Sequence, residues 1–82
     1  GAQMKFRLLY FASLADRAGC AEESIDSAAG DPAVLYEEVR QHHEFTLERA
    51  RLRVAVNGRI VAWDHRLQDG DEIVFLPPVS GG

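Results

Sequence analysis

The chain has 82 residues, of which 46% are hydrophobic and 27% charged, and its formal net charge is −4. A chain of this size can bury one hydrophobic core, but it is too short to enclose an active-site cavity on the order of several hundred Å³ as well. Its length therefore argues against a self-contained enzyme and favours a binding module, a carrier or a subunit. Nucleic-acid binding is not expected, because it needs clustered cationic side chains, and Arg51, Arg53 and Arg59 have the spacing of a solvated strand face.

The first half of the sequence predicts two strands around a short helix. Residues 5–12 are rich in aromatic side chains and partly alternate, as strands do. Ser13 is expected to cap a helix over Leu14–Ala18, with Gly19 supplying the left-handed residue that ends it. Residues 22–27 have few apolar side chains, so we place this weaker strand near a sheet edge.

The main helix is predicted to start at Asp31-Pro32, a capping residue followed by proline at the first helical position. Leu35 and Val39 then recur at a spacing of four and form an apolar stripe that faces a sheet. The helix is expected to end near residues 42–43.

The C-terminal third predicts three strands joined by tight turns. Asn57-Gly58 is the strongest short hairpin signal, because both residues tolerate a positive φ. The expected elements are, in order, a turn over 45–50, a strand over 52–56, a return strand over 59–62, a turn at 69–70 and a last strand over 71–76.

This element order predicts an α+β fold, the β-grasp (ubiquitin-like) roll, in which one main helix crosses one face of a mixed sheet. We assign residues 4–76 to this domain, 77–82 to an extended, flexible C-terminal tail and 1–3 to a cloning remnant. Strand alternation directs one set of apolar residues toward the helix: Phe6, Leu8, Tyr10, Ile73 and Phe75. A second set points to the other face, where either a partner or the loops would cover it: Leu9, Phe11, Val74 and Leu76.

The tail, Pro-Pro-Val-Ser-Gly-Gly, is the most informative segment. Pro77 and Pro78 cannot donate to a sheet ladder, so the strand ends there and the chain leaves in a stiff, extended form. Six residues at about 3.3 Å each reach about 20 Å beyond the fold. Gly81 and Gly82 have no Cβ atom and can thread a narrow channel in a partner. A frayed terminus without a role is the alternative.

The reactive group of such a tail is the terminal carboxylate of Gly82. A carboxylate is a poor electrophile, and its activation typically requires ATP and an acyl-adenylate, from which a thiol or sulfide displaces AMP. No side-chain nucleophile is then needed on this chain.

The sequence resembles the small sulfur-carrier subunits of molybdopterin synthase from Met4 to Gly82, most specifically in its C-terminal third. The resembling positions are Tyr10-Phe11-Ala12, the helix end at Gly19, Val56-Asn57, Val61, Asp64-His65, Leu67, 69–73, Phe75 and 77–82.

The resemblance implies that an E1-like, ATP-dependent activating enzyme adenylates Gly82, which then becomes a thiocarboxylate. Its sulfur would pass to cyclic pyranopterin monophosphate in a pocket of the large synthase subunit, which would supply the catalytic side chains of a heterotetramer. This chain would be a non-catalytic sulfur donor with no bound cofactor, in the cytoplasm and away from membranes. The implied partner contacts, beside the reacting Gly81 and Gly82, are Phe11, Ile60, Leu76, Pro77, Pro78, Val79 and Ser80.

Other candidate sites have simpler interpretations. His42 and His43 would point about 100° apart on a helix, so no metal site is expected. Cys20 cannot form an internal disulfide, favours a cytosolic protein and is interpreted as a bystander thiol. The alternatives left open are a β-grasp sulfur carrier for thiamine or cysteine synthesis, a ubiquitin-like protein modifier and a non-carrier interaction module. The negative charge is expected to steer the chain toward a basic partner pocket.

Overall fold

The computed structural model describes residues 3–78, which form a five-stranded mixed sheet crossed on one face by a helix. The elements are β1 (Met4–Tyr10), α1 (Ala12–Ala18), β2 (Glu22–Ser27), α2 (Pro32–His43), a 3₁₀ turn (Arg49–Arg51), β3 (Arg53–Val56), β4 (Arg59–Val61) and β5 (Glu72–Leu76). The strand order is β2-β1-β5-β3-β4, with β1 and β5 parallel and the other neighbours antiparallel. This architecture confirms the predicted β-grasp roll and the edge position of β2.

Helix α2 begins and ends as its sequence predicts. The Asp31 carboxylate accepts a hydrogen bond from the Val34 backbone N–H at 2.9 Å, and proline occupies the first turn. At the other end Glu44 adopts the left-handed conformation, with φ of 58°, and its N–H reaches the Arg40 carbonyl. No helix within residues 3–78 has both the length and the apolarity needed to cross a membrane.

The start of α1 differs from the prediction. Strand β1 ends at Tyr10, two residues early, because the chain turns sharply at Ala12, where φ is 52°. Phe11 is therefore the N-cap, with no side-chain capping bond, and Ser13 lies inside the helix rather than capping it. The predicted helix end is confirmed, since Gly19 has φ of 77° and donates to the Ala15 carbonyl.

The core lies between α2 and the inner face of the sheet. All residues predicted to face the helix are buried there. The same core includes loop side chains, such as Phe45 and Leu67, which strand alternation does not predict. Tyr36 is its centre: the ring stacks on Phe45 and meets Phe75 edge-on at 5.1 Å. Its hydroxyl donates to the Leu47 carbonyl at 2.6 Å, so the buried phenol is satisfied.

One polar network, centred on Asn57 and Asp71, fixes the beginning of β5. Asp71 is buried, and its carboxylate accepts from the Asn57 side-chain amide at 2.9 Å and from the Gln68 backbone N–H at 2.8 Å. The Asn57 side-chain oxygen in turn accepts from the Glu72 N–H. Asn57 and Gly58 have φ of 52° and 84°, which confirms the predicted hairpin turn. These bonds anchor the strand that leads into the tail.

Candidate functional site

The tail leaves the domain from the middle of the sheet. Strand β5 lies between β1 and β3, and Phe75 pairs with Tyr10 across the parallel ladder. Because parallel strands end at the same side of a sheet, Phe11, which follows β1, and Leu76, the last residue of β5, lie at the same end. On the other flank of β5, Leu76 pairs with Arg53 at the start of β3. The exit is thus flanked by one aromatic and one cationic residue.

An apolar row crosses the outer face of the sheet, the face opposite α2. Strand pairing aligns Leu9 with Val74, Val74 with Ala55 and Ala55 with Ile60. Side chains directly opposite one another on neighbouring strands share a face, so these four residues form one continuous band. We call it the outer apolar row. It contains Leu9, Val74, Ala55 and Ile60, of which Leu9 and Val74 are half-buried, Ala55 is buried and Ile60 is exposed.

The predicted partner residues lie around this row and the tail exit. Phe11 is 50% exposed and Ile60 is 57% exposed, which are high values for large apolar side chains. Leu76 and Pro77 are half-buried and Pro78 is exposed. Phe11 reaches this surface as the cap of α1 and not as a strand residue, which corrects the basis of its prediction. The remaining predicted positions lie outside the described residues: Val79, Ser80, Gly81 and Gly82.

Arg51 and Arg53 lie at the base of the tail, a position that their sequence pattern alone does not indicate. Both line a shallow groove with Leu76, Pro77 and Pro78 at the base of the tail. Their alternation with Leu52 is visible in the sequence, where it predicts an ordinary solvated strand face. Only the pairing of Arg53 with Leu76 shows that this face adjoins the tail.

The His43 and Cys20 side chains, for which the sequence predicts no functional role, make contacts within the fold. Among residues 3–78, no three His, Cys, Asp or Glu side chains are grouped so that they could hold a metal ion. The His43 ring lies 3.0 Å from both carboxylate oxygens of Glu23, which also accepts from the Tyr10 hydroxyl at 3.3 Å. Burial raises the pKa of the Cys20 thiol, and the Glu23 carboxylate 3.6 Å away raises that pKa further. A thiol held protonated in this way is a weak nucleophile.

The arrangement fits a carrier class of protein: a β-grasp domain whose central strand β5 leads into residues 77–82 beside a partly exposed apolar row. The profile of the ThiS family matches residues 8–82, and the chain belongs to the ThiS family.

Named relatives agree with this assignment. The molybdopterin synthase sulfur carrier subunit of Escherichia coli is 39% identical over 83 residues, covering 93% of this chain and 98% of that protein. A structure described as molybdopterin converting factor subunit 1 from Pyrococcus furiosus is 37% identical, with a TM-score of 0.77 over 93% of this chain and 99% of that one.

Two further structures share the fold. SAMP1 from Haloferax volcanii is 27% identical, with a TM-score of 0.74 over 95% of this chain and 99% of that one. Subunit 1 in a complex of subunits 1 and 2 of the molybdopterin-converting factor from Helicobacter pylori is 24% identical. Its TM-score is 0.67 over 96% of this chain and 100% of that one, a likeness that shows the fold alone.

Proposed function

We propose that this chain is the sulfur-carrier small subunit of molybdopterin synthase. The observation that carries the proposal is the route of the tail, which leaves the central strand β5 at Leu76, beside the exposed Phe11 and the outer apolar row. Its support among known proteins is the 39% identity to a sulfur carrier subunit of that enzyme over nearly the whole length of both chains.

The proposed chemistry takes place on the terminal carboxylate of Gly82. A carboxylate oxygen attacks the α-phosphate of ATP on an E1-like activating enzyme, giving an acyl-adenylate and releasing pyrophosphate. A sulfide-level donor then attacks the acyl carbon, and the C–O bond to AMP breaks as the C–S bond forms. The product is a thiocarboxylate, and AMP leaves with the oxygen. The chain supplies the electrophile and binds no cofactor, since ATP belongs to the activating enzyme.

The thiocarboxylate would then donate sulfur to cyclic pyranopterin monophosphate inside the large synthase subunit. The outer apolar row, with Phe11 and Leu76, is the surface we assign to that subunit, because a partly exposed apolar band beside the tail can be covered while the terminus enters a pocket. The catalytic side chains are expected on the large subunit, in a heterotetramer in the cytoplasm. The Helicobacter pylori relative forms a complex with subunit 2 of the molybdopterin-converting factor.

Intact-mass spectrometry tests the carrier chemistry directly. The chain is incubated with the activating enzyme, ATP and a sulfur source, and fragmentation locates any exchange of oxygen for sulfur. We expect it at Gly82 and nowhere else, and we expect transfer of that sulfur to the pterin when the large subunit is added.

Two variants serve as controls for this test. Deletion of Gly82 should abolish both thiocarboxylate formation and transfer while leaving the melting temperature unchanged. Cys20→Ala should leave transfer intact, because the raised pKa of that thiol makes it a poor sulfur acceptor. Sulfur found on Cys20, or transfer that survives loss of Gly82, would contradict the proposal.

A ubiquitin-like protein modifier is the second candidate, favoured by the 27% identity to SAMP1. Its activated carboxylate would be attacked by a lysine amine of a target protein, giving an isopeptide bond and releasing AMP. Mass spectrometry of tryptic peptides separates the two functions, because a modifier leaves a C-terminal remnant on target lysines and a carrier does not.

A further inference from the structure

The net charge of −4 hides a strong separation of charge along the chain. The segment 49–66 contains five arginines and one acidic residue, Asp64, so it carries +4 and the rest of the chain carries −8. The five are Arg49, Arg51, Arg53, Arg59 and Arg66. The side of the molecule that contains β3 and β4 therefore presents a partner with positive charge, although the chain as a whole is acidic.

These arginines have no acidic partner in the described part of the chain. The ion pairs within residues 3–78 involve Arg7, Arg40 and His43, and none includes an arginine from the segment 49–66. Arg49 lies over the Trp63 ring, 5.6 Å from its centroid. All five are exposed. Cations that the fold leaves without carboxylates remain available to an external acidic group.

Two of the five, Arg51 and Arg53, lie between the tail and the outer apolar row. On one side they line the groove that contains Leu76, Pro77 and Pro78. On the other side they line a second groove that contains Ile60. Arg53 also shares the outer face with Leu76, its partner in the β3–β5 ladder. We call this pair the tail-base arginines.

We propose that the tail-base arginines bind carboxylate groups of the large synthase subunit at the rim of the channel that receives the tail. This inference rests on the proposed function and adds the chemistry of the contact. The six tail residues span about 20 Å when extended, so Arg51 and Arg53 stay at the channel mouth while Gly82 reaches the pocket. They contact the rim and not the anionic substrate.

A protein carboxylate fits this surface better than a nucleic acid does. The pair is continuous with apolar residues on both sides, Leu76 and Ile60, as at the border between the apolar core and polar rim of a protein interface. The charge of −8 on the rest of the chain opposes the approach of an extended polyanion. Arginine also suits a carboxylate geometrically, because its planar guanidinium donates two parallel hydrogen bonds.

Charge reversal with a matched control tests the proposal. Arg51→Glu/Arg53→Glu is compared with Arg40→Glu combined with Arg17→Glu, which makes the same change in net charge on the helices. Association with the purified large subunit is measured at low and high salt. We expect the tail-base variant to associate roughly tenfold more slowly at low salt, with the difference shrinking as salt rises, and the helix variant to match wild type. Equal rates for all three proteins would overturn the proposal.

Zero-length crosslinking identifies the partner group. Lys5 is the only lysine of the chain, so Arg53→Lys keeps the charge and introduces one amine at the tail base. Carbodiimide treatment of the complex should join that amine to an Asp or Glu of the large subunit, whereas Arg40→Lys should give no such product. The inference would be overturned if crosslinks formed only at Lys5 or the N-terminal amine, or only between two copies of this chain. Charge-dependent binding to RNA, without binding to the large subunit, would overturn it as well.

The two proposals fail in different ways. If wild type forms the thiocarboxylate and transfers sulfur, but charge reversal changes nothing, only the arginine contact is wrong. If wild type neither binds the large subunit nor carries sulfur, the proposed function is wrong, and the contact that rests on it is wrong too.

Discussion

Both faces of the sheet carry apolar side chains, but their surroundings differ. The inner face is covered by α2, and Phe6, Leu8, Ile73 and Phe75 are each 0% exposed there. The outer face carries Leu9, Val74 and Leu76 on the same two strands, and these remain half-buried. Apolar residues on both faces are usual for strands covered on both sides, yet residues 3–78 supply a helical cover for one side only.

The inner face therefore governs the stability of the folded chain, and the outer face is expected to govern its association with a partner. Burial on the inner face lowers the free energy of the folded chain by itself, at roughly 25 cal/mol per Å² of apolar surface. Under the proposed function, burial on the outer face is completed only in the complex with the large subunit. The first effect is measured on the isolated chain and the second only in a complex, so substitutions on the two faces have distinct signatures.

The largest expected effect is on the inner face. Phe75→Ala removes a fully buried ring and should lower the free energy of unfolding by about 3–5 kcal/mol. Val74→Ala, one residue earlier on the outer face, should cost only about 1 kcal/mol, because its side chain is half-buried. Denaturant unfolding measures both. Similar losses at the two positions would abolish the distinction between the faces.

Alkaline pH should also lower the stability of the folded chain, through the two buried tyrosines. Burial raises the pKa of both tyrosines of the chain above the ordinary value of 10.0, with the Glu23 carboxylate adding to the effect at Tyr10. Folding thus favours the protonated phenols. Their contribution to stability is fully present below about pH 10 and falls as pH rises toward the folded-state pKa, by at most about 1.4 kcal/mol per pH unit for each tyrosine. Tyrosinate absorbance should therefore appear together with unfolding, whereas earlier ionisation in the folded protein would contradict these shifts.

On the outer face we expect a loss of binding without a loss of stability. Phe11→Asp should weaken the complex with the large subunit about tenfold or more, since it buries an unpaired charge at the contact. Val34→Asp is the matched control, because Val34 is also 50% exposed but lies on α2. Titration calorimetry compares the two variants. If both weaken the complex equally, or neither does, Phe11 is not at the interface.

The smallest predicted effect runs in the stabilising direction. Glu44 ends α2 with a φ of 58°, which glycine adopts without a steric penalty. Glu44→Gly should therefore raise the free energy of unfolding by about 0.5–1 kcal/mol and leave the affinity for the large subunit unchanged. Thermal unfolding and the same titration follow the two quantities. A less stable variant would show that the Glu44 side chain itself supports the helix end.

Local chemistry explains which parts of the fold were predictable. Asp31-Pro32 and Asn57-Gly58 each act through neighbouring backbone atoms, so the sequence alone predicts the helix start and the hairpin. The end of β1 was misplaced because the positive φ of Ala12, an ordinary residue, has no sequence signal. The sequence predicts a turn that begins at Phe45, yet Phe45 enters the core through contacts with the distant Tyr10 and Tyr36.

The candidate site shows the same division. The Pro77-Pro78 pair and the alternation of Leu76 are visible in the sequence, whereas Ile60 is implied only by the family resemblance. Alignment of Ile60 with Leu9 depends on the register of four strands, which is a non-local property. The arginine alternation at 51–53 was visible too, but its position beside the tail required the pairing of Arg53 with Leu76.

The central position of β5 also bears on how this protein is made. A ribosome synthesises β5 last among the strands, yet β5 joins the β2–β1 pair to the β3–β4 pair. A nascent chain that stops before Glu72 lacks that connection and cannot close the core around Ile73 and Phe75. Completion of the fold thus requires translation at least through Phe75, seven residues before Gly82. Interrupted translation products would remain open to proteolysis and would not accumulate as folded domains lacking a tail.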